Sequence, residues 1–208
     1  MAEPFELLET IRWTPDGGFF LLDRHLRRIE QSAAYFNYQC STSDLRTHLE
    51  HAVAGSSGAQ RVRLLLSRNG DIRVECTTLE SDATARTATL VIAASPIDPR
   101  DPFLFHKTTN REVYLHARRP DCDDVVLWNP DRQVTESTIA NVVVDIGGRK
   151  VTPPVHCGLL AGTFRAELLE SGEIQESIVT LDELQAASAL WLINSVRGWW
   201  PATLHRDR

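Results

Sequence analysis

The chain has 208 residues, 42% of them hydrophobic and 24% charged, with a formal net charge of −6. That much apolar matter supports a sizeable core and argues against disorder, and the acidic balance argues against a nucleic-acid partner, which calls for a basic face. No apolar run of about 18 residues occurs and the N-terminus lacks a charged start followed by an apolar stretch, so neither a membrane span nor a signal peptide is expected.

In chain order, Phe5 to Trp13 alternates as a strand, Pro15-Asp16-Gly17-Gly18 reads as a turn and Phe19 to Leu22 as a returning strand. Asp23 is placed to cap a helix running to about Phe36, with Leu26, Ile29 and Ala33 on one face. Ser41 to Asp44 is a second cap signature, opening a helix to about Ala54. Arg61 to Ser67 and Ile72 to Leu79 flank Asn69-Gly70, a strong hairpin signal. Thr89 to Ala94 is a further strand, and Pro96, Pro99 and Pro102 mark a linker. The expected division is therefore a smaller N-terminal lobe, 1–96, and a larger C-terminal lobe, 97–208.

The second half opens on Phe103 to Lys107, with a short helix from Asn110 to Arg118. Strands follow at Val125 to Trp128, Asn141 to Ile146 and Arg149 to Thr152, then a helix from Gly162 to Leu169 and a strand from Glu173 to Val179. Thr180 to Glu183 is a capping box, and Leu190 to Ile193 a buried strand. The predicted fold class is α/β, of the α+β type, with mixed sheets in two lobes.

Cys40, Cys76, Cys122 and Cys157 form no CxxC pair, which points to reduced thiols in the cytoplasm and to no metal site. The basic residues are nearly all arginine, and the only lysines are Lys107 and Lys150. Arginine stays protonated and forms no Schiff base, so a chain drifted to arginine is expected to keep lysine where only an amine serves. Lys150 follows a Gly-Gly turn and reads as a solvated hairpin residue. An apolar run leads into Lys107, where desolvation would lower the amine's pKa and favour a nucleophile and base. Glu136 precedes an apolar strand, where a buried carboxylate can pair with a protonated ring nitrogen; an ordinary loop glutamate is the bland alternative. Gly158 to Arg165 carries glycines ahead of a helix start, whose N–H groups and dipole can hold a phosphate, or it is a structural loop. Arg24, Arg27 and Arg28 open the first predicted helix, and Arg28 is the one placed to reach an anion.

These pieces, in this order and nearly end to end, resemble the class IV aminotransferase family, the fold-type IV pyridoxal 5'-phosphate (PLP) enzymes. Phe5 to Arg12 resembles the family's early "FETIR" strand and His25-Leu26-Arg27-Arg28 its "HLxRL" helix. The Glu136 segment, Thr152-Pro153-Pro154 and Gly158 to Arg165 follow the family signature, and Asn194 to Pro201 resembles its last cofactor loop. The resemblance implies PLP in the cleft between two lobes. Lys107 is then the Schiff-base lysine and proton-transfer base, and Glu136 the partner of the pyridine nitrogen. Arg28, the backbone of Thr163 and Phe164, and Ser195 hold the phosphate. Val143, Lys150 and Thr163 depart from the family's usual residues at their positions, and none is a proposed acid or base. Family members usually carry roughly 30 further residues ahead of the "FETIR" strand, judged against ordinary strand and turn lengths.

His106 to Arg111 and Asn194 to Trp199 look most like the 4-amino-4-deoxychorismate lyase branch. That branch implies release of pyruvate and 4-aminobenzoate for folate synthesis. Arg63, Arg111 and Arg197 are candidates to clamp substrate carboxylates, since a guanidinium fork matches a carboxylate bidentately. The alternative is an aminotransferase acting on a small branched-chain or D-amino acid. A binding module without activity is disfavoured by the joint presence of Lys107, Glu136 and Arg28. The resemblance also implies a homodimer acting on a small molecule, with Trp199 and Trp200 lining a pocket or interface, or packing in the core.

Overall fold

A computed structural model of the chain describes residues 4–79 and 86–205, which form two compact units: 4–79 with 106–110, and 86–105 with 111–205. The first unit is an antiparallel sheet of β1 (Leu7–Thr14), β2 (Gly18–Phe19), β3 (Gln60–Leu66) and β4 (Ile72–Thr78), in the order β2-β1-β3-β4. Leu7, Glu9 and Ile11 of β1 lie opposite Leu66, Leu64 and Val62 of β3, so all six share one face. Leu26, Ile29 and Ala33 of α1 (Leu22–Phe36) and Leu45, Leu49 and Val53 of α2 (Thr42–Val53) pack with the apolar residues of that face. Each buried leucine there contributes about 2 kcal/mol by removal from water.

Ser41 caps α2 as its sequence predicts, accepting from the Asp44 N–H at 3.3 Å. The start of α1 differs. Its cap is Leu21, in the left-handed region at φ 56°, and Asp23 lies within the first turn. The returning strand is only two residues long, so the chain must swing sharply into the helix. Asp23 still favours the positive end of α1 and meets Arg46 at 2.7 Å.

Residues 106–110 return to this unit. The Leu8 N–H donates to the Lys107 carbonyl at 2.9 Å, and the Thr109 N–H to the Glu6 carbonyl at 2.9 Å. Lys107 is therefore pinned by its backbone to the start of β1, rather than opening a helix.

The second unit is an eight-stranded mixed sheet in the order β10-β9-β8-β11-β12-β5-β6-β7. Its strands are β5 (Ala88–Ile92), β6 (Asp124–Trp128), β7 (Val134–Ser137), β8 (Asn141–Ile146), β9 (Arg149–Thr152), β10 (Gln175–Glu176), β11 (Leu190–Asn194) and β12 (Gly198–Leu204). Around it lie α3 (Glu112–Ala117), α4 (Thr163–Glu170) and α5 (Leu181–Ala186), the last opened by the Thr180–Glu183 capping box. β8 and β11 are buried on both faces. Val142, Val144, Leu190 and Leu192 join one core cluster, while Val143 and Ile193 pack with Leu168 of α4 in another.

A division at 96/97 would leave β5 in the first unit. Its parallel pairing with β6 and β12 puts it in the second. Two strands, β7 and β12, are not expected from the sequence. β7 carries Glu136 in its four residues, and β12 contains Pro201, both depleted in strands. Conversely, the strand expected from Glu173 to Val179 shrinks to the two residues of β10, parallel to β9. Trp199 and Trp200 fall on opposite faces of β12. Trp200 is in the core with its Nε1–H on the Arg86 carbonyl at 2.8 Å, and Trp199 meets Trp191 edge-on at 5.9 Å. The four cysteines are free thiols.

Candidate active site

In the first unit, Arg28 lies one helical turn after His25 on α1 and reaches back to Glu9 on β1. Its Nε donates to Glu9 Oε1 at 2.7 Å and its Nη2 to Glu9 Oε2 at 2.6 Å, a bidentate pair. His25 Nδ1 stands 2.6 Å from Glu9 Oε2. Glu9 and His25 are fully buried and Arg28 nearly so. Burial alone would raise the Glu9 pKa, but the charges and hydrogen bonds of Arg28 and His25 overcome it and hold the carboxyl at about 2. Burial pushes His25 the other way, below the usual imidazole range; Glu9 opposes this, while the charges of Arg28 and Lys107 add to it.

Lys107 is half-buried and sits between two anchored residues. His106 stacks on Tyr35 at 4.3 Å and its Nδ1 lies 3.0 Å from the Ser32 hydroxyl. Thr108 bridges to Leu7 of β1 and its hydroxyl donates to the Asn110 carbonyl at 3.0 Å.

In the second unit, Glu136 projects from β7 and is 4% exposed. The Tyr114 hydroxyl from α3 donates to its Oε1 at 2.8 Å, and the Leu160 N–H to the same oxygen at 3.1 Å. The Asn141 amide, at the first residue of β8, donates to Oε2 at 3.2 Å and to the Leu160 carbonyl at 2.9 Å. Asn141 also abuts Gly162, where an added Cβ would fall 2.0 Å from the Asn141 Oδ1. Only glycine permits that approach. It brings the start of α4, with Thr163 and Phe164 in its first turn, beside the Glu136 network. Gly158, at φ 101°, is likewise required, since its Cβ would meet the Pro99 Cα at 2.9 Å. Ser195 is buried in the turn from β11 to β12, which Asn194 closes by accepting from the Val196 and Arg197 N–H groups at 3.0 and 2.9 Å.

The three arginines expected to grip substrate have different settings. Arg63 pairs across the sheet with Glu75 at 2.9 Å, partly exposed. Arg111 donates to the Thr138 carbonyl and lies 4.4 Å from the Tyr114 ring centroid. Arg197 stacks 4.1 Å from the Trp200 ring centroid. Lys150 is exposed and rests 4.9 Å from the Trp199 ring. Sequence reasoning missed Glu9, His25, Tyr114 and Asn141. A signal for Glu9 existed, because a carboxylate at a core-facing strand position must find a cation. Nothing local marked Tyr114, whose partner is 22 residues away.

Among the described residues no group of three or more His, Cys, Asp and Glu side chains is placed to hold a metal ion, and no helix is long and apolar enough to cross a membrane.

The profile of the family described as amino-transferase class IV matches residues 6–204. A Schizosaccharomyces pombe protein named "Putative aminodeoxychorismate lyase" is 35% identical, over 94% of this chain and 87% of its own. The Saccharomyces cerevisiae protein named "Aminodeoxychorismate lyase" is 25% identical, over 86% of this chain and 66% of its own. A Mesorhizobium loti crystal structure, named a "Putative amino-acid aminotransferase", is 39% identical with a TM-score of 0.91, covering 97% of this chain and 100% of that one.

Proposed function

We propose that this chain, which belongs to the class IV aminotransferase family, is a PLP-dependent lyase that converts 4-amino-4-deoxychorismate to 4-aminobenzoate and pyruvate. The observation that carries the reaction is the 35% identity, over most of both chains, to the fission-yeast protein named for that activity. It agrees with the resemblance of His106 to Arg111 and Asn194 to Trp199 to the lyase branch.

The donor set fits the cofactor. A glycine-capped helix start with no acidic residue in its first turn suits a phosphate, an arginine pre-aligned by Glu9 suits the same dianion, and a buried carboxylate suits a pyridinium. PLP, when bound, supplies an electron sink for a carbanion beside the substrate amine. In this reading Arg28, the Thr163 and Phe164 N–H groups and Ser195 bind the phosphate. Glu136 holds a proton at the ring nitrogen. Lys107 carries the cofactor and takes the proton from the amine-bearing ring carbon of the substrate. Loss of the enolpyruvyl group as pyruvate leaves an aromatic ring, so one positioned base suffices. Arg197, at a hairpin tip, and Arg111 grip substrate carboxylates. In this reading the product feeds folate synthesis, the four widely spaced cysteines support a cytoplasmic setting, and the family resemblance supports a homodimer.

The test is product analysis. Purified protein with PLP is given 4-amino-4-deoxychorismate made in place from chorismate, and both products are followed. Stoichiometric 4-aminobenzoate and pyruvate, lost in Lys107→Ala, is the expected result. Neither product from PLP-loaded protein would sink the lyase reading. The second reading, an aminotransferase, is favoured by the 39% identity to the Mesorhizobium protein, which is named for that activity. It predicts amino-group exchange between an amino acid and a keto acid, with no pyruvate released from the lyase substrate.

A further inference from the structure

We propose that Tyr114 is a positioning residue for the cofactor's ring nitrogen, acting through Glu136; this rests on the reading of Glu136 as the partner of that nitrogen. The phenol is 7% exposed and donates to Glu136 Oε1 at 2.8 Å, in the closest of the three contacts described within this unit. The Leu160 N–H shares that oxygen at 3.1 Å, so Oε1 is saturated by donors and the carboxylate plane is fixed from one side. The Asn141 amide supports Oε2 at a longer 3.2 Å. These three donors, converging from α3, the Leu160 backbone and β8, set the carboxylate's direction. A carboxylate so held is oriented to accept one further proton donor of defined position, which an aromatic N–H is.

Two features keep the phenol in its donor role. Burial, with the Glu136 charge behind it, raises the Tyr114 pKa well above its ordinary value, so the hydroxyl keeps its proton. The Arg111 guanidinium lies 4.4 Å from the ring centroid, and a cation on the ring face draws electron density from the oxygen and strengthens the O–H as a donor. The contact joins α3 to β7 and is one no sequence motif announces.

The experiment compares two cofactors on wild type, Tyr114→Phe and Glu136→Gln: PLP, and its analogue with CH in place of the ring nitrogen. Dissociation constants are read from visible absorbance, and melting of the cofactor-free proteins controls for folding. Wild type is expected to prefer PLP. Glu136→Gln should erase that preference, and Tyr114→Phe should weaken PLP by about tenfold, the size of a buried hydrogen bond to a charged group. Tyr114→Phe should leave the analogue unchanged. Equal weakening of both cofactors, or none, overturns the proposal while the Glu136 assignment stands. If Glu136→Gln retains the full preference for PLP, the Glu136 assignment falls and the proposal falls with it. Loss of folding in Tyr114→Phe is read against Asn141→Ser, which removes the Oε2 donor and should give a smaller split of the same sign; no split there overturns the proposal.

Discussion

The two units each bury a glutamate, and they treat it in opposite ways. Glu9 is clamped by a bidentate arginine and an imidazole, and its pKa falls to about 2. Glu136, within its unit, accepts hydrogen bonds from a phenol, an amide and a peptide N–H, and also feels the charge of Arg111. The first arrangement balances the carboxylate's charge inside the fold and leaves an oriented arginine. The second fixes the carboxylate's direction through converging hydrogen bonds. The two carboxylates thus differ in how they are held, one by a bidentate ion pair and the other by hydrogen bonds from three separate segments.

This contrast breaks or sharpens under mutation. The largest expected effect is on Glu136→Gln, which keeps shape and most donors but loses the charge. Turnover to 4-aminobenzoate should drop by about a hundredfold or more, the scale of removing one group that stabilises charge in the transition state. Its melting temperature should stay close to wild type, and a large fall in stability without loss of turnover would erase the contrast.

Glu9→Gln should show the reverse weighting. A carboxyl at about 2 in the fold against 4.5 in a free chain corresponds to about 3 kcal/mol of stability. Because the folded pKa is the lower one, this contribution is complete above pH 4.5 and is lost as pH falls towards 2. Urea melts of wild type and variant should therefore differ by about 3 kcal/mol at pH 7 and converge in acid, as the linkage requires. A constant gap across that range would mean that the pair is not the source.

Gly162→Ala tests the close approach beside Glu136. A Cβ 2.0 Å from the Asn141 amide oxygen must push Asn141 or α4 aside, at a cost of about 2 kcal/mol as for overpacked cores. Calorimetry would measure it, and an unchanged midpoint would contradict the packing. The smallest effect is on Arg63→Ala. Its pair with Glu75 is more than a third exposed on both sides, and such pairs contribute about 0.5 kcal/mol. Chemical denaturation showing several times that loss would assign Arg63 a role beyond the sheet surface.

Most strands and helices were legible because their signals are local. The Asn69-Gly70 turn, the Ser41 and Thr180 caps and the apolar stripes of α1 and α2 each lie within a few residues. The scarcity of lysine and the order of the motifs made Lys107, Glu136, Arg28 and the Gly158 to Arg165 loop stand out for the same reason. β7 and β12 were not legible, because polar residues and a proline hide a strand whose place is set by its neighbours. The true membership of β5 was hidden too, since it is decided by partners far away in sequence.

By itself, then, the sequence determined the family resemblance and most of the local elements, through patterns of motif order, period, cap and turn. Only the tertiary structure decided how those residues are held. That Glu9 pairs with Arg28, that Tyr114 donates to Glu136, and that Gly162 abuts Asn141 are facts about chain segments up to 22 residues apart. Hydrogen bonds depend on distance and angle between groups brought together by packing, and no local pattern records which groups those are.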